Sequence, residues 1–363
     1  MSVLLMTGFP GFLGSALLPR LLARRTHARA LLLVQSRHLD TARHRVREIE
    51  AEHPCVRGRI DLVEGDITKS GLGMGEVPHD ELASVTEVWH LAAVYDLATP
   101  EGVARRVNVD GTAHVLEFCR SRAHLERLHY VSTCYVSGAY DGVFAEDDLD
   151  EGQTFRNHYE ETKFEAEMLV RKAMADGLPA TVYRPGIVVG DSTTGATQKY
   201  DGPYFLATFL RRQPPIAVMP LVASPDDVRF CLVPRDFVVE AMDVLSATDA
   251  SLGKTYALTD PHPPTVRELV DTFARELNRR VVWVRLPLGL TRLVVDRIPG
   301  MERLLGLPAQ CLDYLASPTL YDTRNTTADL IDNGVDCPRF DDYAARLLRF
   351  MEKHPEFDAK AMT

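Results

Sequence analysis

The sequence predicts an α/β protein built on a doubly wound parallel sheet, followed by a smaller, mostly helical C-terminal cap. Two observations carry this. Short apolar runs at Val3–Met6, Leu31–Val34, Ile60–Val63, Val88–Ala92, Leu128–Ser132 and Ala180–Tyr183 alternate with helical patterns at Phe12–Leu22, Thr41–His53, Val103–Arg120 and Tyr159–Met174. Runs that are apolar at nearly every residue suit strands covered on both faces by helices. After Pro185 the rhythm breaks. A stretch rich in Gly, Ser, Thr and Asp spans Asp191–Tyr204, and a return to the sheet is expected near Val228–Leu258. An apolar helical stretch with breakers at Pro299-Gly300 and Pro308 then occupies Pro287–Leu320. We place the sheet domain at 1–185 plus about 226–260, and a substrate-binding cap at about 186–225 plus 261–363.

Composition narrows the function classes. The 363 residues carry 51 acidic and 41 basic side chains, a net charge of −10, which argues against nucleic acid or an anionic membrane as the main partner. No uninterrupted apolar window reaches the ~18 residues a membrane span needs. The N-terminus lacks the basic and apolar segments of a signal peptide. Six cysteines, Cys55, Cys119, Cys134, Cys231, Cys311 and Cys337, lie far apart without CxxC spacing, so we expect reduced thiols and a cytoplasmic protein. No metal site is expected: His27, His38, His44 and His53 are scattered, without carboxylates or thiols in ligand spacing. The carboxylate pairs Asp147-Asp148 and Glu160-Glu161 read as solvated charges.

The first strand runs into Thr7-Gly8-Phe9-Pro10-Gly11-Phe12-Leu13-Gly14. Gly8 makes the turn, Gly11 lets the backbone approach a phosphate, and Gly14 permits close helix-to-strand packing. A helix N-terminus then meets a pyrophosphate, as in a Rossmann dinucleotide-binding fold. The second strand ends in Gln35-Ser36-Arg37-His38, with no carboxylate before Asp40. An acidic residue there would hold the ribose 2′-OH of NAD; Arg37 and Ser36 suit a 2′-phosphate instead. NADP(H) is therefore preferred, with NAD(H) as the alternative. Asp66-Ile67 after the third strand either reaches the adenine or caps a turn.

Tyr159 and Lys163 stand at i and i+4 on one helix face. A phenol titrates near 10, and a neighbouring ammonium brings it toward the working range. Ser132 and Thr133 end an apolar strand, where a hydroxyl can hold a substrate carbonyl beside the phenol.

These pieces together resemble the extended branch of the short-chain dehydrogenase/reductase superfamily. The matching residues are the glycine loop, Asp66-Ile67, His90-Leu91-Ala92-Ala93, Asn108-Val109-x-Gly111-Thr112, Ser132-Thr133, Tyr159-x-x-x-Lys163 and Tyr183-Arg184-Pro185-Gly186. Within that branch, Tyr183–Tyr204, Val233–Phe237 and Asp322–Thr326 look like segments of fatty acyl-CoA reductases and thioester reductase domains. The resemblance implies hydride transfer between a nicotinamide and a carbonyl. Tyr159 would move the proton, Lys163 would tune it and bind ribose, and Thr133 would place the oxygen, with Ser132 as a neighbouring candidate. Ala92 and Ala93 would line the nicotinamide pocket, and Pro185-Gly186 would border its amide. Asn108 would join a proton relay or pin its helix. One departure is Leu33-Val34-Gln35, where such reductases commonly carry Leu-Val-Arg, which moves the presumed phosphate-binding Arg to position 37.

The first expectation is therefore reduction of an acyl thioester, on CoA or a carrier protein, to an aldehyde or alcohol, in lipid metabolism. The first strand begins near residue 3, so a stand-alone module without a preceding adenylation or carrier domain is expected. The alternatives are a ketone or aldehyde reductase or a sterol-like alcohol dehydrogenase. Behind them stand a nucleotide-sugar epimerase or dehydratase and a non-catalytic NAD(P)-binding sensor. The apolar stretch near 287–320 reads as core of the cap or as a lipid-facing surface. Homodimerisation through packed helices is left open.

Overall fold

The computed structural model of the protein describes residues 2–75, 79–221, 224–285, 314 and 316–357. Among them, seven parallel strands form the main sheet: β1 (Val3–Thr7), β2 (Arg29–Val34), β3 (Ile60–Glu64), β4 (Val85–His90), β5 (Arg127–Val131), β7 (Ala180–Pro185) and β11 (Thr255–Leu258). Their order across the sheet is β11-β7-β5-β4-β1-β2-β3. The remaining strands form short parallel pairs: β6 (Val143–Phe144) with β13 (Leu320–Tyr321), β8 (Ile187–Val189) with β10 (Leu232–Pro234), and β9 (Ile216–Leu221) with β12 (Arg280–Arg285).

The period-two geometry of β1 shows why these apolar runs make strands. Leu4 and Met6 enter the core on one face, while Val3 and Leu5 enter the core on the other. The first face is covered by α1 (Phe12–Arg24), α2 (Leu39–Glu52) and α8 (Arg235–Ser246), through Leu17, Leu18, Leu21, Val238 and Met242. The second is covered by α5 (Gly111–Arg120) and α6 (His158–Ala175), through Val115, Leu116, Ala166 and Val170. The short α3 (His79–Ala83) and α4 (Glu101–Ala104) lie between β3 and α5 in the chain. A π-helical turn, Arg105–Asp110, joins α4 to α5. Helices on both faces of a parallel sheet make this a Rossmann-type α/β fold.

A separate apolar core gathers α7 (Pro203–Arg212), α9 (Val266–Glu276) and α11 (Phe340–Lys353), using Leu206, Leu210, Leu269, Phe273, Tyr343 and Leu347. Its helix α9 starts on a reciprocal cap, Thr265 with Glu268. Between α9 and α11 in the chain lies α10 (Arg324–Ile331), beside β11 and α8. Most of the apolar stretch expected at 287–320, together with its breakers and Cys311, lies outside the described residues.

One expectation changes. The stretch Val228–Leu258 is not a simple return to the sheet: β10 pairs with β8, α8 follows, and only β11 joins the main sheet. Phe237, Val238, Ala241, Met242 and Leu245 recur at helical spacing and pack with α1, a pattern that a short apolar run shares with a strand.

Glu146 ties α10 to the edge strand of the main sheet. Its buried carboxylate accepts from the backbone N–H of Ala257 at 2.9 Å, from the N–H groups of Asn325 and Thr326 at 2.5 and 3.1 Å, and from the Thr326 hydroxyl at 2.7 Å. It thus fixes α10 to β11. Glu146→Ala strands those donors, and a loss of about 3 kcal/mol is expected in chemical denaturation.

Candidate active site

All strands of the main sheet point the same way, so the ends of β1, β4, β5 and β7 share one edge with the polar segments that follow them. The glycine loop leaves β1 with Gly8 at φ +86, and a Cβ there would lie 2.7 Å from the Leu91 carbonyl carbon. A Cβ on Gly11 would sit 2.6 Å from the Gly8 oxygen. Both positions therefore need glycine for the loop itself to close. Phe9 is buried in the core, and the Arg235 guanidinium lies 5.0 Å over the Phe12 ring. Leu13 packs against that core, while Gly14 lies beside the Gly8 oxygen. The first turn of α1 has neither a side-chain cap nor an acidic residue. An uncapped helix start above a glycine cradle fits a dinucleotide pyrophosphate.

At the adenosine end, Ser36 and Arg37 form an exposed turn after β2. The Ser36 hydroxyl donates to Glu64, and Arg37 Nε donates to Gln35 Oε1 at 2.9 Å. Glu64 is an acidic neighbour that sequence reasoning missed; the parallel register pairs it with Val34, one residue before Gln35. Asp66 caps its own turn by accepting from the Thr68 N–H and hydroxyl. Ile67 is buried, packing against Gly111, and its carbonyl meets His114 Nδ1 at 2.8 Å.

Asn157 caps α6, accepting from the Glu160 N–H at 3.0 Å, which starts the helix just before Tyr159. Lys163 follows one turn later, only 3% exposed. Its ammonium donates to Tyr130 Oη and to the Val131 carbonyl, both at 2.9 Å. Burial lowers the Lys163 pKa to about 7, partly countered by the charge of Glu167. Burial also raises the Tyr159 phenol to about 12, against a hydrogen bond from Thr133 that lowers it. Thr133 caps the following turn through the Tyr135 N–H at 3.2 Å. Thr133 thus meets the Tyr159 phenol, and Lys163 stands one turn further along the same helix.

Ser132 faces another way. Its hydroxyl donates to Glu167 at 2.6 Å, and that carboxylate also receives Arg184 at 2.7 Å and Arg171 at 3.1 Å. Burial pushes Glu167 up, but Arg184, Arg171 and Ser132 together hold it below the usual range. Glu167 stands at i+4 from Lys163, a spacing legible in the sequence but not assigned there. Asn108 spends its amide on the backbone N–H and carbonyl of Val94, at 2.9 and 3.0 Å, and on the Thr162 hydroxyl at 3.0 Å. It thereby holds the loop after Ala92-Ala93 against α6. Ala92 itself donates to the Thr7 hydroxyl at 3.2 Å. Pro185 ends β7, and a Cβ on Gly186 would meet the Cys231 oxygen at 2.5 Å.

The Glu160-Glu161 pair is not uniformly solvated as expected. Glu160 is fully buried, where it accepts from the Arg156 N–H at 3.0 Å and meets Tyr314; Glu161 stays partly exposed. Near the phenol, Lys199 Nζ lies 3.9 Å over the ring of Tyr95 and pairs with Asp201. No cluster of metal-ligating side chains occurs among the described residues, and no helix among them is long and apolar enough to cross a membrane.

The fold and this site define an extended short-chain dehydrogenase/reductase. Residues 6–242 match the NAD-binding family described as male sterility protein, and the chain belongs to that family. A non-canonical nonribosomal peptide synthetase of Aspergillus campestris is 28% identical over 75% of this chain and 26% of its own length. A linear gramicidin synthase of Brevibacillus parabrevis is 28% identical over 73% of this chain and 5% of its own. The chain therefore spans a small part of these relatives, which are enzymes of peptide synthesis rather than of lipid metabolism. A solved structure, the terminal R domain from the myxalamid PKS-NRPS biosynthetic pathway, superposes with a TM-score of 0.83 at 28% identity, covering 99% of this chain and 93% of that one.

The buried Lys163 has a consequence for stability. Its folded value of about 7 lies below the 10.5 of a free lysine, so between those values the unfolded chain binds more protons and stability rises with pH. Lys163→Met is expected to resist denaturant better than the parent protein at pH 6, with the advantage shrinking as pH approaches 10.

Proposed function

We propose that this chain reduces an acyl thioester, carried on the phosphopantetheine arm of a carrier protein or of CoA, to the aldehyde, with NADPH as reductant. The meeting of Thr133 with Tyr159, and Lys163 one turn further along the same helix, supports this reading most strongly. The kinship with peptide synthetases, which hold acyl groups as thioesters, favours a thioester over a ketone. In this reading 1–185 plus about 226–260 hold the dinucleotide and the remainder meets the substrate.

The dinucleotide, when bound, supplies the hydride to the carbonyl carbon. Tyr159 gives its phenolic proton to the carbonyl oxygen, and the Thr133 hydroxyl steadies that oxygen. The ammonium of Lys163 stabilises the phenolate left behind, which burial alone would disfavour. The hemithioacetal then returns its hydroxyl proton to Tyr159 as the C–S bond breaks. An aldehyde leaves, together with a thiolate that takes a proton from water.

At the ribose end Arg37 leaves Gln35 to pair with a 2′-phosphate, and Ser36 turns from Glu64 to assist. Arg37→Ala is expected to raise KM for NADPH about tenfold and leave KM for NADH nearly unchanged, the scale of one lost charged contact.

The deciding experiment follows NADPH and NADH oxidation with acyl-CoA, a carrier-bound acyl thioester and the matching aldehyde in parallel. Thioester-dependent NADPH oxidation is expected, with Tyr159→Phe lowering kcat by about a thousandfold. Turnover with the aldehyde alone would assign the protein to the carbonyl reductases.

A further inference from the structure

Among the described residues the Lys163 ammonium makes no direct ion pair, although it feels the charge of Glu167. The carboxylate placed to pair with it, Glu167 one turn on, is occupied by Ser132, Arg171 and Arg184. The two hydrogen-bond partners found for the ammonium are neutral oxygens, Tyr130 Oη and the Val131 carbonyl. A carboxylate there would hold the charge in place but cancel its field at Tyr159. Two neutral oxygens solvate the ammonium and leave the field intact.

Tyr130 is itself held from behind. Its hydroxyl lies near Thr112 and Ser132, and Thr112 Oγ1 donates to the Asn108 carbonyl at 2.6 Å and meets His90 Nε2 at 3.0 Å. His90 Nδ1 meets the Thr7 hydroxyl at 2.8 Å, at the root of the glycine loop. Thr112 spends its proton on Asn108, so His90 donates from Nε2 and accepts at Nδ1. Burial and the charge of Lys163 lower the His90 pKa to about 3, so it keeps this neutral form throughout the working range. A buried chain thus runs Thr7–His90–Thr112–Tyr130–Lys163 across β1, β4, α5, β5 and α6.

We propose that Tyr130, backed by Thr112 and His90, is a positioning residue that solvates the Lys163 ammonium and holds it where it acts on Tyr159. This rests on the proposed role of Lys163. The ionisable groups facing that ammonium are Glu167 from its own helix, His90 from β4 and Tyr130 from β5, with Tyr159 one helical turn earlier on α6; Arg184 from β7 and Arg171 stand behind Glu167. Of these, Tyr130 alone offers it a side-chain oxygen within hydrogen-bond distance among the described contacts.

The test compares the parent protein with Tyr130→Phe in two measurements. One is the pH dependence of kcat/KM. The other is titration of the Lys163 Cε resonance in cofactor-free protein grown with labelled lysine, with Lys163→Met assigning the signal. Losing one hydrogen bond to a charged group destabilises the ammonium, so the Lys163 titration and the alkaline limb should both move down by about one pH unit. A Tyr130→Phe protein with an unmoved lysine titration would overturn the proposal. Should that variant fail to fold, Thr112→Val is read the same way, with a smaller downward shift expected. Retained turnover in Tyr159→Phe would overturn the proposed chemistry instead, while the lysine titration would still judge Tyr130.

Discussion

The buried contact between Glu167 and Arg184 holds the site in place. Arg184, 1% exposed on β7, reaches Glu167 on α6 and the backbone carbonyls of Ala145, Glu146 and Asp148. One guanidinium thus joins β7, the helix that carries Tyr159 and Lys163, and the segment that leads to Glu146. Removing either partner of such a pair leaves an uncompensated buried charge, which costs about 3–5 kcal/mol. The pair ties α6 to β7 one turn beyond Lys163. It also claims Ser132, leaving Thr133 as the hydroxyl that meets the phenol.

The electrostatics of the site follow from how its charges are divided. Glu167 is saturated by cations and a hydroxyl, whereas Lys163 is solvated by neutral oxygens. One side of α6 is therefore a closed ion pair and the next turn an open positive field. A phenol in that field can serve as both acid and base, though burial alone pushes it away from neutrality. The same arrangement makes Lys163 a burden on the folded state at neutral pH, which is common where function keeps a buried charge unpaired.

At the cofactor end, opposite charges meet. Arg37 suits a 2′-phosphate, yet Glu64 stands beside Ser36 and presents the opposite charge to the same place. Arg37 comes from the turn after β2 and Glu64 from the end of β3, and they meet because β2 and β3 are neighbours in register. The second apolar core, built from α7, α9 and α11, lies apart from both cores of the main sheet.

Local chemistry made much of this legible from the chain alone. Short apolar runs alternating with helical patterns suit strands of a covered parallel sheet, and Gly8 and Gly11 stand where any side chain would strike backbone. The i,i+4 spacing of Tyr159 and Lys163 puts them on one helix face wherever that helix goes. What tertiary structure decided concerns partners far apart in sequence. The segment 228–258 became strand, helix and strand because α8 found α1 to pack against. Glu160 became buried because Arg156 and Tyr314 were there to receive it. Ser132 turned to Glu167, Glu64 arrived beside Ser36, and Tyr130 met Lys163. A charge takes its meaning from the burial and the neighbours that folding gives it, and neither is written in the spacing of residues along the chain.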